Sequence, residues 1–254
     1  MNEASPAPQE APRLTDVLVA ASLLTRLSMP IDHEAAGARL SRAGWAYPLV
    51  GALLGAAVGG AATALASLGL PPLFAAALAV AFGLLLTGAL HEDGLADCAD
   101  GFGGAHTVAN RLEIMRDSRL GTFGGAALTL ALLAKVALLA DLGATALVAG
   151  AASGAVSRVP ILWAPRLMPP ARREGLSARA GQPPLWSPAL ALAVGAVIAV
   201  TLLGAVAVPV MLGAAAAALV MGFTARRCIG GQSGDVLGAM QVLGELAALA
   251  VLTV

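Results

Sequence analysis

Long apolar runs separated by short polar clusters dominate the pattern of the chain. The runs cover residues 44–68, 72–91, 121–140, 144–163, 188–206, 208–225 and 236–254. A helix of about 20 mostly apolar residues crosses the hydrocarbon core of a bilayer, and each run is close to that length. The pattern therefore predicts an all-α integral membrane protein, a polytopic bundle of about seven transmembrane helices in a single membrane domain of residues 14–254.

The N-terminal segment differs from these runs. Residues 1–13 are rich in proline and alanine and carry two acids, which is typical of a disordered tail and not of a signal peptide. The next segment, 14–29, is apolar but short, and it contains Asp16 and Arg26. It is predicted to be an interfacial or re-entrant helix, with a tilted span as the alternative.

The composition agrees with a membrane location. The chain is 58% hydrophobic and only 12% charged, whereas about a quarter of the residues in a soluble domain are charged. The formal net charge of zero gives no reason to expect nucleic-acid binding. Cys98 and Cys228 form neither a disulfide framework nor a metal-ligand spacing. Membrane lipid is the partner that this composition predicts.

The basic residues orient the predicted spans. Of the 15 lysines and arginines, all but Lys135 and Arg158 fall in segments that share one side of the membrane, namely 1–43, 92–120, 164–187 and 226–235. The positive-inside rule places these segments in the cytoplasm, which predicts a multi-pass protein of the bacterial inner membrane. Charges inside a span are costly, so Arg158 is predicted to be functional. For Lys135, function and snorkelling both remain open.

An acidic cluster follows the second predicted span. On a helix continuing from that span, Asp93, Asp97 and Asp100 fall within an arc of about 60°, with Glu92 apart from them. We expect this helix to end at Gly101, so the carboxylates would face the negative end of the helix dipole and repel one another. A divalent cation, Mg²⁺, would relieve both penalties. A solvated acidic turn is the alternative.

Arginines on the same predicted face match a phosphate-bearing substrate. The segment R-L-E-I-M-R-D-S-R-L-G-T-F-G, residues 111–124, carries Asp117 with Arg116 and Arg119 on a neighbouring face. These groups either pair with one another on a solvated turn or, beside a metal, bind phosphate oxygens. Arg172, in the longest cytoplasmic loop, either acts as a positive-inside anchor or joins them.

A glycine-rich loop precedes the last predicted span. In R-R-C-I-G-G-Q-S-G-D-V-L-G-A, residues 226–239, Gly231 and Gly234 permit close approach of the backbone to a ligand. Asp235 has three candidate roles: a metal ligand, the base that accepts the proton of an attacking hydroxyl, or the cap of the following helix. The metal role is favoured, because a nearby Mg²⁺ would lower the pKa of its carboxyl and make it a poor base.

Together these motifs resemble the cobalamin synthase family, the integral-membrane adenosylcobinamide-GDP ribazoletransferases. The resemblance extends over about residues 23–249. It is carried by L-T-R-L-S-M-P (24–30), H-x-D-G-L-A-D-x-A-D-G (91–101), the 111–124 segment, Ser157-Arg158 and G-G-Q-S-G-D-V-L-G-A (230–239). The chain departs from the family pattern at Ala89, Glu92, Cys98 and Ser233, where Gly, Leu, Thr and Thr are usual.

The resemblance implies a reaction and, together with the residue patterns, a set of site residues. The phosphocobinamide part of adenosylcobinamide-GDP would pass to α-ribazole or its 5′-phosphate, with release of GMP and with Mg²⁺ as cofactor. The implied metal ligands are Asp93, Asp97, Asp100 and Asp235, and the implied catalytic residues are Asp100, Asp117, Asp235 and Arg158. The implied substrate-binding residues are Arg26, His91, Arg116, Ser118, Arg119, Arg172, Gly231 and Gly234. A homo-oligomer, or a complex with other enzymes of cobamide assembly, is also compatible with the resemblance.

Two other functions compete with this one. Asp97, Asp100 and Gly101 match the start of the motif of CDP-alcohol phosphotransferases, but the expected Ala-Arg and later Asp are missing. A transporter would explain charges within a helical bundle, yet it predicts repeated halves, and the sequence has no internal repeat. The acids are also concentrated, since six of the 15 lie between Glu92 and Asp117. The pattern favours the enzyme.

Overall fold

The computed structural model describes residues 11–172, 174, 175 and 180–254. Within them the chain is helical, and apart from one isolated bridge between Pro170 and Gln232 it contains no β structure, which confirms the all-α fold class. The helices are α1 Thr15–Leu24, α2 His33–Arg39, α3 Tyr47–Ser67, α4 Pro72–Thr87, α5 Leu90–Gly104, α6 Val108–Ile114, α7 Thr122–Leu142, α8 Ala146–Val156, α9 Pro160–Leu167, α10 Trp186–Leu203, α11 Ala207–Ile229 and α12 Gly234–Val251. Most of the predicted disordered tail, residues 1–10, lies outside the described residues.

Several helical segments are long and apolar enough to cross a membrane. By length and composition, the described residues contain four: Ala43–Ser67, Thr122–Leu167, Trp186–Ile229 and Gly234–Val251. The bent pair α4 and α5 makes a fifth candidate if the pair counts as one span. The two longest segments are interrupted by 3₁₀ turns that start at glycines of positive φ, Gly143 and Gly204, near the predicted boundaries between spans. The count of about seven spans and the single membrane domain stay predictions.

Helix α1 is too short to cross the membrane, so the tilted-span alternative for residues 14–29 is wrong. Its ten residues extend about 15 Å, half the thickness of the hydrocarbon core. A buried ion pair fixes the helix to the bundle: Arg39 Nε and Nη2 donate to Asp16 at 2.8 and 3.1 Å, and Trp45 Nε1 donates to it at 3.0 Å. Burial alone would raise the pKa of the Asp16 carboxyl. The hydrogen bonds that this carboxyl accepts from Arg39 and its other donors have the larger combined effect, so its pKa is lowered.

Backbone contact between α3 and α8 forms the tightest helix pair of the bundle. Gly51 lies against Gly154, Gly55 against Gly150 and Gly59 against Ala146, so the two helices run antiparallel. A Cβ atom on Gly55 would overlap the carbonyl oxygen of Gly150. Small residues allow such close approach, and in a bilayer the packing they permit is the main force that holds helices together.

A sharp bend separates α4 from α5, so the predicted helix that continues from the 72–91 span into the acidic cluster is wrong. The helix axes differ by 92°, because Gly88 and Ala89 both adopt the left-handed conformation, with φ values of 67° and 55°. Among the described residues, Ala89 is the sole non-glycine residue with positive φ. An alanine in this conformation is strained by about 1–2 kcal/mol relative to a right-handed one. The bend carries the acidic cluster onto a helix of its own.

Candidate active site

A cavity of about 300 Å³ lies where α1, α5, α12 and the loop after α9 meet. Its polar lining is His91, Asp93, Arg172, Glu174, Gln232, Ser233 and Asp235. Its apolar lining includes Leu23, Leu24, Leu40, Tyr47, Leu90, Ile161 and Leu237. The fold thus brings residues from the acidic cluster, the Arg172 loop and the glycine-rich loop to one concave surface, as the predicted topology required.

Two glycines bring α5 and α12 into backbone contact. A Cβ atom on Gly94 would lie 2.7 Å from the carbonyl oxygen of Asp235, and one on Gly238 would lie 3.1 Å from that of His91. Asp235 is therefore held beside the acidic cluster. The carboxylates of Asp93, Asp235 and Asp100 repel the charge on Asp97, while Arg172 attracts it. Sequence reasoning missed both glycines, because neither belongs to a repeat that would reveal its partner helix.

Asp235 faces the cavity and is not the cap of α12. The cap is Ser233, whose hydroxyl accepts the backbone N–H of Val236 at 3.4 Å, so the cap alternative for Asp235 is wrong. The Asp235 carboxylate instead accepts hydrogen bonds from Arg172 Nη2 at 2.6 Å and from Ser233 Oγ at 3.2 Å. Asp235 lies in the first turn of α12, where the helix dipole favours a negative charge.

The loop that carries Arg172 is fixed to the glycine-rich loop by two backbone hydrogen bonds. Gln232 N–H donates to the carbonyl of Pro169 at 2.9 Å, and Ala171 N–H donates to the carbonyl of Gln232 at 2.8 Å. A Cβ atom on Gly231 would overlap the Pro169 carbonyl, so this glycine permits the contact between the two loops. Within the described part of the chain, Arg172 Nε is buried with no hydrogen-bond partner. It is a donor available to an anionic ligand.

Gly231 and Gly234, predicted together as backbone contacts to substrate, have different positions. Gly231 packs against the neighbouring loop, whereas Gly234 lines the cavity with no atom within 4 Å of the position of a Cβ. Only Gly234 is placed where its backbone can approach a ligand in the cavity. The role of Gly231 is to bring the loop of Arg172 into position.

The acidic cluster differs from its predicted position on the helix. Helix α5 begins at Leu90 and continues to Gly104, so the expected end at Gly101 is wrong. Gly101 is buried against Met115 and the carbonyl of Arg111, and it permits the close packing of α6. Asp93 lies in the first turn of α5, where the dipole stabilises a carboxylate. The dipole penalty inferred from the sequence therefore does not apply to Asp93.

Asp100 caps the next long helix. Its two carboxylate oxygens accept the backbone N–H groups of Gly121 and Gly124, each at 2.8 Å, at the start of α7. A Cβ atom on either glycine would overlap this carboxylate, which explains the two glycines that end the 111–124 segment. Asp100 therefore has a structural role that sequence reasoning missed. Its predicted metal and catalytic roles stay predictions.

The predicted site residues of the 111–124 segment lie on the loop after α6, outside the described lining of the cavity, namely Arg116, Asp117, Ser118 and Arg119. Asp117 pairs with Arg119, whose side chain is 88% exposed, and Arg116 and Ser118 are exposed as well. Hydrogen bonds from Arg119 lower the pKa of Asp117 to about 2. Such a weakly basic carboxylate is a poor proton acceptor near neutral pH. The loop adjoins the acidic cluster through Asp100, and the predicted roles of its residues stay predictions.

Arg158 belongs to a separate buried cluster of charges within the bundle. Its Nη1 donates to the carbonyl of Gly154 at 2.7 Å, and Glu245 and Glu92 attract its charge. Lys135 pairs with Glu245 at 3.1 Å, so it is paired inside the protein and does not snorkel. These residues line a small cavity of about 30 Å³. His91 lines both this small cavity and the larger one, so the two cavities adjoin at His91.

Arg26 is exposed and lies beside the bend between α4 and α5. Its backbone N–H donates to the carbonyl of Leu86 at 2.8 Å, and its side chain covers Gly88. The structure thus places Arg26 next to the start of α5 but outside the lining of the cavity that it describes. Substrate binding by Arg26 stays a prediction.

The arrangement of carboxylates bears directly on the predicted metal. Among the described residues, no group of three or more His, Cys, Asp and Glu side chains converges closely enough to hold a metal ion alone. Mg²⁺ rarely uses such a closed set, because it retains water and is commonly bound by one or two carboxylates together with substrate phosphates. Asp93 and Asp235 on the cavity wall, with Asp97 adjoining, fit that partial set.

Comparisons with known proteins agree on one family. The sequence model of the family described as cobalamin-5-phosphate synthase matches residues 16–253. An adenosylcobinamide-GDP ribazoletransferase from Bradyrhizobium diazoefficiens is 43% identical over 94% of this chain and 93% of its own length. The proteins of that name from Azorhizobium caulinodans and Sinorhizobium medicae are 44% and 40% identical over 93% of the chain, and the matches cover 94% and 95% of their lengths. No solved structure matches significantly.

Proposed function

Because the chain belongs to the cobalamin-5-phosphate synthase family, we propose that the cavity at α5 and α12 is the active site of an adenosylcobinamide-GDP ribazoletransferase. The enzyme joins α-ribazole or its 5′-phosphate to the phosphocobinamide part of adenosylcobinamide-GDP, which completes the nucleotide loop of cobalamin and releases GMP. One observation carries the assignment: Asp93, Arg172 and Asp235 line the same cavity, next to Asp97.

In this reaction the protein contributes mainly by positioning the two substrates and by balancing the charge of their phosphates. A ribazole hydroxyl attacks the phosphorus that bears cobinamide, a new P–O bond forms, and the bond to the GMP oxygen breaks. Arg172 can bind phosphate oxygens through its buried Nε, while its Nη2 keeps the bond to Asp235. The apolar part of the lining offers few groups to bind water, which would compete with the ribazole hydroxyl as the nucleophile.

Asp235 is placed to act on the metal or on the attacking hydroxyl. We favour the metal role, in which Asp235 and Asp93, with Asp97 adjoining, would bind Mg²⁺ together with substrate phosphates, because these carboxylates lie close enough for their charges to repel one another. Mg²⁺ bound there would neutralise negative charge on the diphosphate and on the leaving GMP. His91, buried at the boundary of both cavities, would contribute a hydrogen bond to substrate.

We place the protein in the inner membrane with this cavity open to the cytoplasm. The apolar helices require a membrane, and the arginine asymmetry of the loops supports this orientation. Nucleotide-activated donors are made in the cytoplasm, so the same orientation gives the substrate access to the site. Membrane vesicles of known sidedness separate the alternatives: inverted vesicles should release GMP from added adenosylcobinamide-GDP, and sealed right-side-out vesicles should not.

The function is tested by GMP release from adenosylcobinamide-GDP and α-ribazole by the purified protein in detergent. We expect GMP and a cobalamin product in equal amounts, and a loss of at least about 100-fold in rate after removal of Mg²⁺, because unshielded phosphate charges repel the site carboxylates. Addition of Mg²⁺ should restore the rate. GMP release without any corrinoid product would contradict the transferase assignment, and an unchanged rate in chelator would contradict the metal proposal.

A further inference from the structure

The cavity has two chemically distinct walls. On the polar wall, Arg172 and Ser233 both donate to Asp235. On the apolar wall, Leu24, Tyr47 and Ile161 come from α1, α3 and α9 and belong to one packed cluster of buried residues. A ligand that fits both walls has a charged or hydroxyl-rich part and an apolar part.

The volume of the cavity indicates which of the two substrates it holds. About 300 Å³ lies at the lower end of the range for small-molecule sites, which is about 300–1,000 Å³. A ribosylated bicyclic base is of this size, whereas a corrin macrocycle with its amide side chains is several times larger. The cavity therefore fits the acceptor nucleoside better than the corrinoid part of the donor. Of the two substrates, the acceptor nucleoside is the one that this space can enclose.

The apolar wall also distinguishes the base of the acceptor from the guanine of the donor. Guanine carries several donors and acceptors, and burying them against leucine and isoleucine would leave them without partners. The methylated benzimidazole of α-ribazole is planar and apolar, with one ring nitrogen free to accept a hydrogen bond. Tyr47 is buried and lines the cavity, so its hydroxyl is placed to donate to that nitrogen.

We propose that Leu24, Tyr47 and Ile161 form the binding pocket for the benzimidazole base of the acceptor. The ribose of the bound nucleoside then extends toward Arg172 and Asp235, which brings its hydroxyl to the polar wall where the phosphorus of the donor binds. The base pocket rests on the proposed function, since it assigns one of the two substrates of that reaction. It makes these three residues determinants of acceptor specificity.

Steady-state kinetics of two mild variants test the pocket. Tyr47→Phe removes one hydrogen bond, and Ile161→Val removes one methylene from the wall. We expect the KM for α-ribazole to rise about fivefold in each, with the KM for adenosylcobinamide-GDP unchanged. Ile229→Val is the matched control, because Ile229 is buried in the same cluster outside the cavity, and both of its KM values should stay at the wild-type level.

Equilibrium binding of α-ribazole in the absence of donor provides a readout that does not depend on turnover. A weaker affinity for α-ribazole in Tyr47→Phe and Ile161→Val, with an unchanged Ile229→Val control, supports the pocket even if no GMP were released by any variant. A rise in the donor KM alone would overturn it, as would an unchanged acceptor KM in both variants of an active enzyme. Those results would leave the proposed transferase activity intact.

Discussion

Replacement of Gly55 by alanine is expected to lower the thermal midpoint of the purified protein by about 10 °C. The new methyl group would overlap the carbonyl of Gly150, which is backbone and has no rotamer to change, so α3 and α8 must separate. Overpacking of this kind costs about 3 kcal/mol, and in a protein of this size each kcal/mol lowers the midpoint by a few degrees. Thermal unfolding in detergent, followed by circular dichroism, measures the shift.

Gly60→Ala is the matched control on the same helix. A Cβ atom there meets only the end of the Leu147 side chain, at 3.3 Å, and that side chain can move. Alanine is also a better helix former than glycine, so the midpoint of Gly60→Ala should be equal to that of the wild type or slightly higher. Equal effects of the two substitutions would show that the α3–α8 contact does not hold the bundle together.

Asp97→Asn is expected to reduce turnover about 1,000-fold, equivalent to about 4 kcal/mol, while the protein remains folded in the membrane. The amide keeps the shape of the side chain but removes the negative charge at the centre of the cluster of Asp93, Asp100 and Asp235. A cation would therefore be bound less tightly and the charge on the diphosphate less well balanced. Initial rates of GMP release at saturating substrate measure this effect.

The same substitution at Asp141 distinguishes the effect of losing a charge in the site from the effect of losing one elsewhere in the protein. Asp141 is an exposed aspartate near the far end of α7. Asp141→Asn should retain the wild-type rate. If Asp97→Asn were as active as this control at ordinary Mg²⁺ concentrations, Asp97 would be excluded from the site.

The length of the apolar runs predicted the class of fold, because a bilayer requires helices of that length. Long apolar runs have no other stable conformation than helices in lipid, so the all-α bundle follows from the pattern alone. The bend at Gly88 and Ala89 was missed, because the apolar run continues through it and only backbone geometry reveals it. Gly88 was the available signal of a left-handed residue, because glycine adopts positive φ without strain.

The site was partly predictable, since topology alone returns distant loops to one face of the membrane. In the structure Asp93, Arg172 and Asp235 line one cavity, and the predicted topology had placed Asp235 on the same face as the acidic cluster. The sequence pattern did not predict the hydrogen-bond partners of the side chains, because those partners lie elsewhere in the fold. Asp100 caps α7, and Ser233 caps α12 in place of Asp235.

The apolar wall of the site could not be read from the sequence. Leu24, Tyr47 and Ile161 are ordinary core residues in the pattern, and only the fold shows that they border a cavity. Asp16 was likewise read as a polar interruption of a short apolar helix. In the fold its ion pair with Arg39 secures the helix that carries Leu24.

Titration of GMP release against Mg²⁺, in the wild type and in Asp235→Asn, tests the central claim most directly. If this cavity is the active site and Asp235 a metal ligand, the variant should need at least about tenfold more Mg²⁺ for half its maximal rate, and excess Mg²⁺ should restore part of the rate. A collapsed rate with an unchanged Mg²⁺ requirement would identify Asp235 as the base in the same cavity. Near-normal rates with the wild-type Mg²⁺ requirement would contradict the assignment of this cavity as the site of ribazole transfer.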